Sequence, residues 1–334
     1  MSKKAEKAKE IKRIGVFTSG GDAPGMNAAV RAVVRYGTYK GLHVYGIKNG
    51  YEGMIKGDIE RLETKSVRNI IHRGGTILKT SRSMEFMTPE GRNQAYESLK
   101  SYDLDACIAI GGNGTFAGAK VFCEEYSDIA FVGVPGTIDN DIYGTDFTIG
   151  FDTAVNTAVE AVDRIRDTAD SHSRLFFIEV MGRHSGEIAL YTGIGSGASG
   201  ILIPEKSSDS ESLINLLKKG IKRKKLFSMV VVAEGDETGG AMAIAEKVRK
   251  EFPHFETKVA IIGHLQRGGS PSASDRVLAT RLGYGAVEGL LNGQLDVMAG
   301  SINSKIVYTS FDDAINKKKH PNQDLLALAE ILAL

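Results

Sequence analysis

Hydrophobic residues are grouped in short runs along this chain, and most of the runs end in glycine. The runs read IGVFTSGG, HVYGIKNG, ACIAIGGNG, IAFVGVPG, RLFFIEVMG, GILIPE, FSMVVVAEG and KVAIIGH. β-Branched and aromatic side chains are frequent in them, which is typical of buried strands. Residues 26–39, 115–125 and 152–168 instead have the apolar spacing of amphipathic helices. Strands that alternate with helices predict parallel α/β sheets covered on both faces.

This alternation also predicts where a ligand would bind. Ligands of parallel α/β sheets lie beyond the carboxyl ends of the strands, and the glycines and charged residues of this chain collect there. A length of 334 residues suits two domains. No internal repeat or low-complexity linker separates them, and a candidate boundary lies near Thr148-Ile149-Gly150.

Composition narrows the class of protein. Hydrophobic residues make up 42% and charged residues 25% of the chain, as in ordinary globular proteins. The net charge of +1 gives no reason to expect a nucleic acid or a membrane as partner. The basic N-terminus has no apolar stretch behind it, so no secretory signal is predicted. Cys107 and Cys123 are expected to be reduced, buried thiols of a cytoplasmic protein.

Two strand-to-helix turns are rich in glycine. They read TSGGDAPGMN (18–27) and IGGNGTFAGA (110–119), and the first does not match the common P-loop pattern. Backbone N–H groups at such a turn, aimed along a helix N-terminus, bind anions. One turn of this kind could equally be a tight connection without a ligand, and Thr115 could simply cap its helix. Two turns at separate strand ends favour a polyphosphate across the sheet edge.

The segment PGTIDND (135–141) places two carboxylates directly after an apolar run. Beside a polyphosphate, one of Asp139 and Asp141 can accept a proton from an attacking hydroxyl, and the other can hold a metal. The alternative is an Asx-turn or a helix-cap pair. The two glycine turns upstream favour the chemical interpretation.

Basic residues near other turns suit phosphate oxygens. The set comprises Arg82, Arg174, Arg183 and Arg267. A single arginine at a strand end is usually a surface residue, but the set favours phosphate binding. The pattern leaves open whether His264 packs against neighbouring side chains or binds a ligand. The runs IKRKK (221–225) and NKKKH (316–320) indicate solvated faces, or else a surface anion site.

Taken together, these motifs resemble the ATP-dependent 6-phosphofructokinases of bacterial type. The segments TSGGDAPGMNAAVR, IIHRGGT, PGTIDNDI, EVMGRHSG and GHLQRGGSP occur in the order of that family, over about residues 12–330. The resemblance implies two Rossmann-like three-layer α/β/α domains with mainly parallel sheets. An ATP-binding domain would comprise residues 1–149 plus 265–314, and a fructose-6-phosphate-binding domain residues 150–264 plus 315–334. It also implies a cytoplasmic homotetramer whose subunits share substrate sites.

The resemblance implies transfer of the ATP γ-phosphoryl group to the 1-hydroxyl of fructose 6-phosphate with Mg²⁺, the committed step of glycolysis. Asp139 would be the base, Thr137 and Asp141 would frame the hydroxyl and the metal, and Arg183 would stabilise the transferring group. The implied ATP ligands are Gly21, Arg82, Ser83, Gly112, Asn113, Gly114 and Thr115. The implied sugar-phosphate ligands are Thr137, Ile138, Asp139, Arg174, Met181, Gly182, Arg183, Glu234, Lys258, His264 and Arg267. The implied metal ligands are Asn113, Asp139 and Asp141.

Two positions bear on the phosphoryl donor. Pyrophosphate-using relatives carry an Asp after the GGD turn and a Lys before TIDND, where they fill the space of the ATP α-phosphate. Here Gly114 and Gly136 occupy those positions, which favours ATP and disfavours the alternative of a pyrophosphate-dependent enzyme.

Two departures from the family concern catalysis. Asn113 stands where the family usually has Asp near the metal, and Lys258 stands where it usually has the second cross-subunit Arg. Asn113 leaves open a non-catalytic, sugar-phosphate-binding regulatory subunit. The retained Asp139, Asp141 and Arg183 favour an active enzyme that needs more free Mg²⁺.

Further departures concern the family's effector site. Ser199 replaces a Glu that helps to bind effector metal, and the basic loop is interrupted at residues 227–229. The retained basic residues of that site are Arg31, Arg35, Arg166, Arg223 and Lys225. Control by effectors therefore stays open.

Overall fold

The computed structural model describes residues 11–172, 174–206, 214, 217, 228–235, 239–253 and 256–332. Its strands are β1 (Arg13–Thr18), β2 (His43–Ile47), β3 (Ile59–Leu62), β4 (Ala106–Gly111), β5 (Ala130–Pro135), β6 (Leu175–Val180), β7 (Gly200–Leu202), β8 (Ser228–Ala233), β9 (Thr257–Ile261), β10 (Val297–Ile302) and β11 (Lys305–Ser310). Its helices are α1 (Met26–Tyr39), α2 (Gly50–Lys56), α3 (Pro89–Ser101), α4 (Asn113–Glu125), α5 (Phe151–His172), α6 (Glu187–Gly195), α7 (Gly240–Glu251), α8 (Ala273–Leu291), α9 (Phe311–Asn316) and α10 (Gln323–Leu332). Short 3₁₀ helices span Glu85–Met87 and Gly263–Arg267.

The chain forms two compact units. The first comprises Met1–Thr137, Ile142–Gly150 and Gly269–Lys318, and the second comprises Ile138–Asp141, Phe151–Gly268 and Lys319–Leu334. The chain thus passes from the first unit to the second inside PGTIDND, between Thr137 and Ile138. The division implied by the resemblance differs, since it places residues 138–141 and 265–268 in the first domain and residues 150 and 315–318 in the second. The binding roles assigned to the two domains stay a prediction.

The first unit is built on a seven-stranded sheet with the order β11-β10-β5-β4-β1-β2-β3. The interior pairs are parallel, and only the outer strands β3 and β11 run antiparallel to their neighbours. Phe17, Phe116, Phe122 and Phe131 are fully buried against this sheet. Burial of such large apolar side chains is the main source of stabilisation for a core of this kind.

The second unit contains a four-stranded sheet with the order β7-β8-β6-β9, in which every pair is parallel. Phe177, Val230 and Val232 from its strands pack with Ile244 and Val248 of α7. Two mainly parallel α/β sheets confirm the predicted fold class. Among the described residues, no helix combines the length and the apolar character that a membrane span requires.

Both cysteines are free thiols, as predicted. Cys107 is buried within β4, whereas Cys123 on α4 is only half-buried, so the expectation of full burial holds for Cys107 alone.

Candidate active site

The two glycine turns lie side by side at the carboxyl edge of the first sheet, because β1 and β4 are parallel neighbours. The backbone N–H of Ser19 donates to the carbonyl of Ile110 at 3.0 Å. A side chain at Gly111 would place its Cβ 2.5 Å from the carbonyl oxygen of Ser19, so only glycine permits this approach. A Cβ at Gly20 would lie 3.6 Å from the Thr115 hydroxyl.

The N-terminus of α4 is open. The helix begins at Asn113, and no side chain caps it at Gly112. The alternative in which Thr115 caps the helix does not hold, because Thr115 lies inside the first turn. Its hydroxyl oxygen is buried and lacks a hydrogen-bond partner within the described part of the chain. An unpartnered buried hydroxyl costs free energy, and a ligand oxygen at this helix N-terminus would relieve that cost.

Gly114, in the same turn, faces open space: a Cβ built there would meet nothing within 4 Å. Gly136 differs, because its Cβ would lie 3.1 Å from a methyl of Ile110 and 3.2 Å from the methyl of Met26. The absence of a side chain is therefore a packing requirement at Gly136, whereas at Gly114 it leaves room beside the turn.

The segment that carries Arg82 and Ser83 is held in place by its own hydrogen bonds. The Ser83 hydroxyl donates to a Glu52 carboxylate oxygen at 2.7 Å and accepts from the Phe86 N–H at 3.3 Å. The Arg82 side chain is exposed. Ser83 therefore orders this segment, and Arg82 remains the residue available to a phosphate.

Sequence reasoning missed Arg92, which binds the 3₁₀ helix that follows Ser83. Its buried guanidinium donates to both Glu125 carboxylate oxygens at 2.6 Å. Its remaining terminal nitrogen donates to the carbonyls of Phe86 at 3.2 Å and Met87 at 2.9 Å. A bidentate pair of this kind is among the stronger polar contacts of a protein.

Asp139 is a buried carboxylate in the second unit, with only 4% of its surface exposed. Burial, followed by the negative charge of Asp141, raises its pKa to about 6, against the opposing charges of Arg183 and Arg267. The Arg183 Nε lies 3.7 Å from a carboxylate oxygen of Asp139. A carboxylate with such a pKa is ionised at neutral pH and can still accept a proton, as a general base must.

The backbone beside Asp139 is held by a buried carboxyl group that sequence reasoning missed. Asn140 has a positive φ of 52°. Its amide donates to a Glu187 carboxylate oxygen at 3.2 Å, and both side chains are buried. Burial raises the pKa of Glu187. Glu187 follows Arg183 in the motif MGRHSGE, and that shared motif is the one signal that could have identified it.

Arg183 lies at the carboxyl edge of the second sheet, just after β6. Its backbone N–H donates to a Glu234 carboxylate oxygen at 2.9 Å. Its φ of 52° is unusual for a residue with a side chain. A Cβ at Gly235 would lie 1.7 Å from the Arg183 carbonyl oxygen, so glycine is required at this position, two residues after β8. These contacts fix the backbone of Arg183, whose side chain is 57% exposed.

Gln266, which the sequence did not single out, connects the 3₁₀ helix after β9 to the end of β6 at the same edge. This helix carries His264 and Arg267, and Met181 follows β6. The fully buried Gln266 accepts from the Met181 N–H at 2.8 Å. His264 and Arg267 flank it on the 3₁₀ helix after β9, and His264 is exposed. The Arg267 Nε is buried and has no hydrogen-bond partner among the described residues. The structure thus collects Met181, Gly182, Arg183, Glu234, His264 and Arg267 around one sheet edge.

Arg174 and Lys258 lie at the opposite, amino edge of this sheet. Arg174 precedes β6, and Lys258 is the second residue of the adjacent strand β9. Both cations bind one carboxylate, that of Glu256. Within one chain they are therefore separated from Arg183 by the length of a strand.

The residues of the predicted effector site are only partly described. Arg31 and Arg35 lie one turn apart on α1, and burial together with the charge of Arg35 lowers the pKa of Arg31. Arg166 donates to the carbonyl of Ser196. Arg223, Lys225 and the run IKRKK lie outside the described residues. In the run NKKKH, Lys317 pairs with Asp313 at 3.0 Å on an exposed face.

No group of three or more His, Cys, Asp or Glu side chains in the described ranges is arranged to hold a metal ion. The carboxylates of Asp139 and Asp141 nevertheless lie close enough for the charge of one to raise the pKa of the other. A divalent cation would relieve that repulsion. Mg²⁺ commonly takes one or two carboxylates together with phosphate and water, so this donor pair suits it.

Comparison with known proteins gives consistent matches over nearly the whole chain. The phosphofructokinase family model matches residues 13–290. The chain is 55% identical to the ATP-dependent 6-phosphofructokinase of Cytophaga hutchinsonii, over 96% of this chain and 98% of that one. It is 54% identical to ATP-dependent 6-phosphofructokinase 1 of Thermus thermophilus, over 97% of this chain and 100% of that one.

The fold is similar to that of solved structures. The phosphofructokinase of Saccharomyces cerevisiae superposes with a TM-score of 0.85 at 36% identity, over 96% of this chain. The match covers 46% of the yeast chain, so this chain spans less than half of its length.

Proposed function

This chain belongs to the phosphofructokinase family, and we propose that it transfers the γ-phosphoryl group of ATP to the 1-hydroxyl of fructose 6-phosphate. The products are fructose 1,6-bisphosphate and ADP. The observation that carries this proposal is the buried Asp139 carboxylate, whose pKa is raised to about 6 and whose neighbour Arg183 lies 3.7 Å away.

Asp139 accepts the proton of the 1-hydroxyl as that oxygen attacks the γ-phosphorus. The new O–P bond forms while the bond to the β,γ-bridging oxygen breaks, and ADP leaves with the electron pair. Arg183 offsets negative charge on the transferring group, since charge spreads over its oxygens in the transition state. Thr137 and Asp141 flank the base in PGTIDND and frame the same hydroxyl.

The donor binds at the two glycine turns. The open N-terminus of α4 and the unpartnered Thr115 hydroxyl suit phosphate oxygens. Gly21, Gly112 and Gly114 permit close approach of the phosphates, and the exposed Arg82 supplies a cation. The open space beside Gly114 favours ATP, because it leaves room for a third phosphate.

Asp139 and Asp141 are the residues of this chain that would hold Mg²⁺, which shields the charge of the phosphates. Asn113 is a neutral candidate ligand by resemblance alone. We therefore expect the enzyme to be active and to require more free Mg²⁺ than it would with Asp at position 113.

The sugar phosphate binds at the carboxyl edge of the second sheet, through Met181, Gly182, Glu234, His264 and Arg267. Arg174 and Lys258 cannot serve that same substrate within one chain. The six residues of β6 lie between Arg174 and Met181, which are therefore about 23 Å apart in extended chain. This distance supports a site shared between subunits, in which Arg174 and Lys258 reach the 6-phosphate of the neighbour's substrate. We propose that the assembly is a cytoplasmic homotetramer.

Asp139→Asn tests the proposal. The amide keeps the shape of the carboxyl group but cannot accept the hydroxyl proton. We expect kcat to fall by about 10²–10⁴ while the dissociation constant for fructose 6-phosphate stays within a few-fold of wild type. Steady-state kinetics and calorimetric titration measure the two quantities. An Asn variant that keeps more than about a tenth of wild-type kcat would exclude Asp139 as the base.

A further inference from the structure

We propose that Glu256 lowers the affinity of the sugar-phosphate site by sharing the two cations that bind the 6-phosphate. The inference rests on the proposed function, which assigns Arg174 and Lys258 to that phosphate.

The geometry places one carboxylate between the two cations. The Arg174 Nε lies 2.6 Å from one Glu256 oxygen, and the Lys258 Nζ lies 2.7 Å from the other. The backbone fixes this arrangement, because the Leu175 N–H donates to the Glu256 carbonyl at 3.1 Å at the start of the β6–β9 pairing. All three side chains therefore stand at the amino edge of the same two strands.

The charges explain the expected direction of the effect. Two cations and one carboxylate carry a net charge of +1, whereas the cations alone would carry +2. The contacts with Lys258 and Arg174 lower the pKa of Glu256 to about 2, so the carboxylate stays ionised across the neutral range. A dianionic phosphate therefore meets a pair of cations whose charge is already half neutralised.

Glu256 need not leave when the phosphate arrives. It accepts from the Nε of Arg174, so the terminal nitrogens of that guanidinium retain N–H donors for phosphate oxygens. Lys258 has three N–H donors, of which Glu256 takes one. The carboxylate thus remains as a fixed negative charge beside the bound phosphate. Glu256 and Lys258 are 48% and 46% exposed, so solvent moderates its effect.

Glu256→Gln isolates the charge, because glutamine keeps the length of the side chain and a carbonyl oxygen for Arg174. At low salt we expect the dissociation constant and KM for fructose 6-phosphate to fall by about three- to tenfold, with kcat within about twofold. The difference should shrink as salt is added. A purely structural contact would not produce this dependence on salt.

The matched control is Glu160→Gln. Glu160 is an exposed carboxylate on α5 that pairs with Arg164, and its substitution changes the net charge equally. It should leave the affinity unchanged. Calorimetric titration with fructose 6-phosphate needs no turnover, so it separates this inference from the proposed reaction. Affinity of the Glu256 variant that is unchanged, or weaker than that of wild type, would overturn the proposal.

Discussion

At the scale of single residues, the ionisation of Asp139 links activity to stability. The position of this carboxylate after a strand could be predicted from the sequence, but its pKa could not. Burial, Asp141 and Glu234 raise this pKa, whereas Arg183 and Arg267 lower it, and these groups converge only in the folded chain. The native state therefore favours the protonated form of a group that the reaction needs ionised.

This conflict predicts opposite pH dependences. We expect kcat/KM of the free enzyme to decline as the pH falls below about 6, because the base becomes protonated. Stability should change in the other direction. The folded-state pKa of about 6 lies above the ordinary value of 3.8, so the native state gains stability from protonation and loses it as the pH rises through about 6.

Asp139→Asn should consequently be more stable than wild type at pH 8, by at most about 2–3 kcal/mol, with the difference disappearing near pH 4. Urea unfolding of both proteins at several pH values measures the difference. A gap that is the same at every pH would show that ionisation of Asp139 is not its cause.

At the scale of secondary-structure elements, the hydrophobic pattern was informative where strands are buried. Each of the apolar runs contains all or most of a strand of the structure, and α1 spans the predicted residues 26–39. The pattern missed β3, β10 and β11 at or near the sheet edges. The sequence of β3 is IERL, with two charged residues, and β11 is half-exposed along most of its length. Edge strands need less apolar surface, so their sequences carry a weaker signal.

The N-terminus of α4 yields a prediction about Asn113. An Asp there would add a negative charge at the positive end of the helix, worth about 0.3–1 kcal/mol of stability in the absence of ligands. If position 113 also acts through the metal, Asn113→Asp should lower the Mg²⁺ concentration that gives half-maximal rate. Thermal unfolding and a Mg²⁺ titration at saturating fructose 6-phosphate measure the two effects. Coincident titration curves would show that residue 113 does not act through Mg²⁺.

At the scale of the whole molecule, the motifs identified most of the residues around the carboxyl edge of the second sheet. The residues that hold them in place could be recognised only from contacts in the folded chain. Gln266 bonds to Met181, and Glu187 bonds to an asparagine 47 positions earlier. Pairings over such distances depend on the order of strands, which local patterns do not contain. The opposite edges occupied by Arg174 and Met181 likewise became evident only from the strand register.

The central claim is that this molecule is a phosphofructokinase that uses ATP. A coupled assay of fructose 1,6-bisphosphate formation tests it directly, with purified protein, fructose 6-phosphate and Mg²⁺, and with either ATP or pyrophosphate as the donor. We predict turnover with ATP and a rate at least about 100-fold lower with pyrophosphate, since the turn at Gly114 leaves room for a third phosphate. Faster turnover with pyrophosphate would contradict the assignment of the donor. Absence of turnover with either donor at any Mg²⁺ concentration would contradict the assignment of catalytic activity and favour a regulatory subunit.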